Sequence, residues 1–316
     1  MKKFKSIATV GLPFWGILFL ASCSDVTPVD TTLLSEAHGK FLQICREEYN
    51  LNVLIRPLKA TVWVYVPLRE NLLQIAAGKE GAQKSSTPQE RPAVKFLEAS
   101  FALTERLFLI RYDIGRQKVY PQSPGYGVEY TQAYRQTSRQ ILSAVSRSYF
   151  SSAKTEGPPQ FFVVVLTDIQ NGIEIENTFY LDDLKKYMTL EAIPQEEYTK
   201  RSLYELKGNL DFIGDTEGRH LDYKEIALPD FLARQIANRI NFQYQRSAFP
   251  PSDDARAEIL NIAAATLRYY QFSDFTAVAL RNLADGSAET IPAANLANYT
   301  EEETEQKGRL IHIQFR

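Results

Sequence analysis

The chain of 316 residues contains only three histidines, His38, His220 and His312, and they lie far apart. It has no H-E-x-x-H, no pair of C-x-x-C, no G-x-S-x-G and no G-x-x-x-x-G-K-[ST]. The common zinc, nucleophile-elbow and phosphate-loop chemistries therefore have no foothold. Cysteine is scarcer still: with only Cys23 and Cys45, no framework of several internal disulfides can form. Positive charge is not in excess, the formal net charge being -2. The basic footprint of non-specific nucleic-acid binding is thus missing, and no nucleic-acid partner is expected. Long apolar runs are lacking as well: the stretch from Ile7 to Leu20 is interrupted by Pro13 and Gly16. It falls short of the roughly 20 residues a spanning helix needs.

That short run is informative through its position. Lys2, Lys3 and Lys5 precede it and small residues close it, which is the anatomy of a secretory signal peptide. The closing residues are Leu20, Ala21, Ser22 and Cys23. They resemble the lipobox of bacterial lipoproteins. The resemblance covers the first 23 residues only. It implies cleavage between Ser22 and Cys23, a diacylglyceryl group on the Cys23 sulfur, and commonly acylation of the new amino terminus. Two or three acyl chains, at about 0.8 kcal/mol per buried CH₂, hold a protein on a membrane that one chain holds only marginally. Residues 1–22 are expected to be removed and residues 23–32 to form a lipidated tether, reaching about 30 Å at full stretch. Serine rather than aspartate directly after the cysteine implies, in a Gram-negative cell, the periplasmic face of the outer membrane. With Cys23 acylated, Cys45 is the one thiol left. It shares a helical face with Leu34, Phe41 and Tyr49 and reads as a buried small hydrophobe.

The remaining pattern reads as α+β, with mostly antiparallel sheet and packed helices. A helix over about 33–49 and the run ATVWVYV open an N-terminal α-β-β unit at 33–115, interrupted by a Gly-, Pro- and Ser-rich loop at 77–93. Strand character is expected to return from Phe101 to Ile114. A larger α+β region at 127–316 follows. Its clearest element is a hairpin, FFVVVLTDI and IEIENTFY about Asn171-Gly172, for which a type I′ turn is expected. Setting Phe161 on Phe275 aligns Val164 with Val278, Leu166 with Leu280 and Gly172 with Gly286. Two helix-hairpin units, 131–188 and 254–299, are therefore expected, with the N-terminal region as a looser third. Pro194, Glu196 and Glu197 suit a helix start, and Leu232, Ile236 and Ile240 line one face of a later helix. FFVVVL and VWVYV are apolar at every position, and strands of that kind are covered on both faces. The closing LIHIQF alternates like a strand, with His312 on its polar side.

Candidate chemistry is confined to two places. Ser151 and Lys154 satisfy S-x-x-K, but the companion S-D-N and K-T-G motifs are absent. The stretch 211–225 gathers Asp211, Asp215, Glu217, His220, Asp222 and Glu225. Of these, Asp215, Glu217, His220 and Asp222 are the candidate ligands for a divalent cation, since carboxylate oxygens with one imidazole suit such an ion. The spacing departs from an EF-hand loop.

The sequence is thus expected to encode a membrane-anchored envelope lipoprotein of non-catalytic interaction or scaffold type, with an envelope protein as partner and no cofactor beyond the lipid on Cys23. Two alternatives stand beside it: a small-molecule-binding lipoprotein with an aromatic-lined groove, and an envelope hydrolase using the acidic loop.

Overall fold

The computed structural model describes residues 31–75, 89–119, 127–150, 159–245 and 254–299. Ser22, Cys23, nearly all of the tether, the Ser151–Lys154 motif, His312 and the LIHIQF strand lie outside them.

Helix α1 (Thr31–Gln43) runs into a π-helical turn at Ile44–Glu48, which carries Ile44 and Cys45 into the core with Phe41. Strands β1 (Leu54–Leu58) and β2 (Thr61–Leu68) then form a tight hairpin, its turn using Lys59 at φ 48°. After the short β3 (Leu73–Ile75) come β4 (Gln89–Ala102) and β5 (Leu107–Val119), a long hairpin. The single strand expected over 101–114 is the tip of this hairpin: the chain turns at 103–106, with Arg106 at φ 51°. Strand β6 (Val128–Tyr130) pairs with β3 and leads into α2 (Gln132–Tyr149). Thr131 caps this helix by accepting the Tyr134 N–H.

Next come β7 (Phe161–Asp168), β8 (Ile173–Tyr180), α3 (Leu181–Met188), α4 (Gln195–Arg201) and β9 (Leu203–Gly208). A strap of mostly irregular chain, 209–227, separates β9 from α5 (Leu228–Gln245). The chain then forms α6 (Ala255–Tyr269), capped by Asp254, followed by β10 (Ala277–Asn282), β11 (Ala288–Pro292) and α7 (Ala293–Leu296). The fold is α+β with mostly antiparallel sheet, as expected.

Two larger sheets organise these strands. The first has the order β1-β2-β7-β8-β9 and the second β11-β10-β5-β4. In each, an early hairpin meets a later one through a parallel central pair, β2 with β7 and β5 with β10, while the other pairings are antiparallel. The expected N-terminal unit at 33–115 does not form as one body. Its VWVYV strand lies in the first sheet, whereas 107–119 lies in the second. The sheets alternate along the chain, so neither corresponds to a contiguous stretch, and the division at 115–127 falls between hairpins of interleaved sheets.

The expected repeat is visible in detail. The β7-β8 and β10-β11 connections close the same way, Gly172 N–H donating to Asp168 O at 2.9 Å and Gly286 N–H to Asn282 O at 3.0 Å. In both, the first residue's side chain accepts an N–H two residues on, Gln170 to Asp168 and Ala284 to Asn282. Gly172 and Gly286 have φ of 66° and 75°. Each hairpin is followed by a short helix that buries a leucine at its fourth residue, Leu184 or Leu296. The turn is not the expected two-residue type I′, because Asn171 keeps a negative φ and the connection spans 169–172.

Three clusters bury the apolar faces. Phe41, Ile141, Val145, Tyr149 and Leu184 from α1 to α3 pack on Val62, Val64, Phe162 and Val164 of the first sheet. Helices α5 and α6 cover the second sheet through Phe231, Ile236, Ile240, Leu260 and Ala263, against Phe108, Ile110 and Val278. Phe161 and Leu203, from the first sheet, join this second cluster and link the two cores. The third cluster lies on the far face of the first sheet, where Leu221, Tyr223 and Ile226 of the strap cover Trp63, Tyr65, Val163 and Val165.

Where α3 to α6 meet, Arg201 donates to Asp183 and to Glu197, both at 2.8 Å, and Arg239 donates to Glu197 at 2.7 Å. The Tyr270 hydroxyl donates to Asp183 at 2.5 Å. Burial works to raise the Glu197 carboxyl, but Arg239 and Arg201 outweigh it and hold it below the usual carboxylate range.

A Cβ added at Gly172 would lie 2.4 Å from the Asn209 carbonyl oxygen, whereas one at Gly286 meets nothing within 4 Å. Both alanines would carry the positive-φ strain of about 1 kcal/mol. Only Gly172→Ala must also push the strap away. Urea denaturation should therefore show a loss at Gly172→Ala larger by at least about 1 kcal/mol than at Gly286→Ala, and equal losses would contradict this packing.

Candidate functional site

The strap is built to lie against the first sheet. Asp168 accepts the N–H groups of Gln170 and Asn171, which shapes the β7-β8 turn. That turn then receives the strap, Asn209 N–H donating to Gly172 O and Gly214 N–H to Ile169 O, each at 2.9 Å. Further along, the Tyr65 hydroxyl donates to Asp215 O at 2.5 Å, Trp63 Nε1 to Lys224 O at 2.8 Å, and Ile226 N–H to Thr61 Oγ1 at 2.9 Å. Gly218, at φ 66°, sits where a Cβ would meet the Tyr65 ring at 3.1 Å.

At the centre of this contact is His220, whose side chain is 9% exposed. Its Nδ1 lies 2.6 Å from Asp215 Oδ2 and its Nε2 lies 2.7 Å from Glu174 Oε2. The Glu174 side chain, on β8, is 1% exposed. Two carboxylates on opposite edges of one imidazole can both be hydrogen-bonded if the ring donates from both nitrogens, or if one carboxyl carries a proton. Thr167 Oγ1 donates to the same Glu174 oxygen at 3.2 Å. Lys207 Nζ stands 4.0 Å from Glu174 and 2.5 Å from Glu176. Tyr65 meets the imidazole edge-on at 5.7 Å between centroids, and Phe212 lies 4.4 Å from it.

The electrostatics follow from this geometry. Burial works to raise the Asp215 carboxyl, but the His220 ring and the N–H groups of Glu217 and His220 hold it below the ordinary carboxylate range. Burial lowers Lys207, and the carboxylates of Glu176, Glu205 and Glu174 overcome that and raise it. Burial also pushes the Tyr65 phenol well above its usual range.

Of the four expected cation ligands, Asp215 and His220 come together. Glu217 pairs with Arg219 at 2.7 Å and Asp222 with Lys224, both on exposed side chains. Glu225 pairs with Lys59 at 2.7 Å, and Asp211 lines an open depression of about 550 Å³ beside Asp215 and His220. An imidazole nitrogen that ligates a metal must present a lone pair to it. Here both nitrogens face carboxylate oxygens instead. The cation site at Asp215, Glu217, His220 and Asp222 is therefore not assembled. Among the described residues no group of three or more His, Cys, Asp or Glu converges to hold a metal ion.

Glu174, the partner that completes the arrangement, was not singled out in the sequence. A signal was present: IEIENT places Glu174, Glu176 and Thr178 on one face of a strand whose neighbours are apolar. Carboxylates on a covered sheet face require partners. Cys45 is buried, which pushes its thiol up to about 12 and leaves it protonated. His38 is half-buried, 5.8 Å from Tyr149 between ring centroids, rather than on an open helix surface.

Comparison with protein-family models, with curated proteins and with solved structures finds no match. Among the described residues no helix is long and apolar enough to cross a membrane.

Replacing His220 removes the hydrogen bond that joins buried Glu174 to the strap, and losing such a partner in the interior costs about 1–3 kcal/mol. His220→Ala should lower urea stability by that order and expose the strap to limited proteolysis near 209–227; cleavage at the wild-type rate would show that His220 does not hold the strap to the sheet. Asp215 gives a separate test. Its folded-state carboxyl is held low, so its contribution is complete above the unfolded value of about 3.9 and is lost as pH falls through the lower folded value. Asp215→Asn should cost stability at neutral pH and approach the wild type as the solution is acidified through that window. Parallel acid limbs for the two proteins would contradict this assignment.

Proposed function

We propose that the chain is a lipid-anchored protein of the bacterial cell envelope, with a folded body that serves as a non-catalytic interaction or scaffold module. The observation that carries this reading is the run Leu20-Ala21-Ser22-Cys23 at the end of a cationic, short apolar leader. Helix α1 begins at Thr31, so only residues 24–30 separate it from Cys23. At full stretch they reach about 25 Å, which keeps the folded body close to the bilayer. The destination is the periplasmic face of the outer membrane if the cell is Gram-negative, and the partner is another envelope protein.

The geometry of the strap supports a structural use of its charges. An acid-base hydrolase centred on His220 would need a ring nitrogen facing the substrate. Both nitrogens are held by Asp215 and Glu174, within a network that also ties down Thr167 and Lys207. The imidazole then acts as a clasp between strap and sheet.

Expression of the full chain in a bacterial host tests the anchor. The wild type should appear in the membrane fraction as a form shortened by residues 1–22, with a mass increase matching acylation of Cys23. Cys23→Ala should accumulate uncleaved and without acyl mass. Identical processing and mass gain in both proteins would refute the proposal. For the scaffold role, crosslinking on intact membranes should join the anchored wild type to the same envelope protein in repeated preparations. Failure to recover any such adduct would count against it.

A further inference from the structure

A second feature of the strap is not explained by its role as a cover. Between edge strand β1 and residues 217–223 lies a depression of about 450 Å³, with Leu54, Ile55 and Leu221 in its walls and Arg56, Arg219 and Tyr223 among its lining residues. That volume is within the range of small-molecule sites, which combine apolar walls with a few placed polar groups. The polar group here is held by a stack. Trp63, fixed through its Nε1 hydrogen bond to Lys224 O, meets Tyr223 edge-on at 5.4 Å. The Tyr223 hydroxyl donates to Gly218 O at 3.0 Å, and the Arg56 guanidinium lies over the Tyr223 ring at 4.3 Å.

Among the described residues, this cation-π contact is the one interaction of the Arg56 guanidinium, which has no carboxylate partner and no hydrogen-bond acceptor. The other exposed arginine at the depression, Arg219, is already paired with Glu217. Stacking occupies the face of a guanidinium and leaves its N–H fork in the ring plane free, and that fork matches a carboxylate or phosphoryl group with two parallel hydrogen bonds. We propose that this depression is a binding site for a small oxyanion-bearing ligand, a carboxylate or phosphate ester with a flat or apolar body. Arg56 holds the anionic group, and Leu54, Leu221 and the Tyr223 edge receive the body. A soluble metabolite and the headgroup of an anionic lipid share this chemistry. The site does not depend on the scaffold reading.

Trp63 provides the readout. The chain has two tryptophans, Trp15 and Trp63, so in a full chain carrying Trp15→Phe the emission comes from the residue that packs edge-on against Tyr223. This protein, reconstituted in phosphatidylcholine bilayers, is titrated with phenyl phosphate and benzoate, with benzyl alcohol as the neutral control. In a parallel arm, phosphatidylglycerol replaces part of the phosphatidylcholine. The expected result is a saturable change in Trp63 emission with phenyl phosphate or benzoate, or a change on adding phosphatidylglycerol, and none with benzyl alcohol. A response to the soluble anions alone identifies a soluble ligand, and a response to phosphatidylglycerol alone identifies a headgroup. Arg56→Gln, at an exposed position, should weaken the response about tenfold or more, while Arg281→Gln, on the second sheet, should leave it unchanged. Circular dichroism of each variant checks that the fold is retained. Absence of any saturable response, or a response of the same strength in Arg56→Gln, overturns the proposal.

Discussion

The structure depends on keeping water from both faces of β7. FFVVVL is buried at every residue from Phe161 to Leu166, and a strand of that composition is stable only when covered on each side. Helices α1 to α3 cover one face. The other face meets Phe231 of α5 at Phe161. Beyond that end it is closed by the strap, an irregular segment whose apolar contribution is Leu221, Tyr223 and Ile226. Irregular chain has no internal hydrogen-bond ladder to hold it in place, so it must be fastened from below. Trp63, Tyr65 and Thr61 fasten it through backbone groups, and Glu174 does so through His220.

This fastening accounts for the charged row beneath the strap. Carboxylates on β8 sit beneath the strap because the strap brings its own imidazole to them, and Lys207 from β9 balances the row. Asp215, His220, Glu174, Lys207 and Glu176 follow one another in a row, and the lowered Asp215 and raised Lys207 both reflect their neighbours in it. The outer side of the same segment carries the depression beneath Arg56. One stretch of chain therefore closes a core with its inner face and presents a cationic, partly aromatic groove with its outer one.

The second organising feature is interleaving. Each larger sheet takes one hairpin from the first part of the chain and one from a later part, joined through a parallel pair that no short turn could make. Phe161 and Leu203 reach from the first sheet into the second core. Arg201 gathers carboxylates from α3 and α4, and Tyr270, just after α6, donates to Asp183 of the same group. Contacts so distant in sequence are slow to find during folding, and once made they bind the two sheets into a common structure.

The sequence by itself determined whatever depends on near neighbours. Helical periodicity located α2, α5 and α6, Pro194 and Glu197 marked the start of α4, and Asn171-Gly172 located the hairpin. The offset from Gly172 to Gly286 exposed a repeat that the two turns share down to their hydrogen bonds. Where the local signal was ambiguous, the reading failed: LTER looked like strand but makes a turn, and the tail of the 77–93 loop belongs to β4. Tertiary structure alone decided which hairpins share a sheet, because β-rich runs carry no label for a partner a hundred residues away. It alone decided the fate of the acidic loop. Spacing suggested a convergence of Asp215, Glu217, His220 and Asp222, but Glu217 and Asp222 pair with Arg219 and Lys224 on the surface. The second carboxylate for His220 came from Glu174, on a strand that only folding brings beneath it.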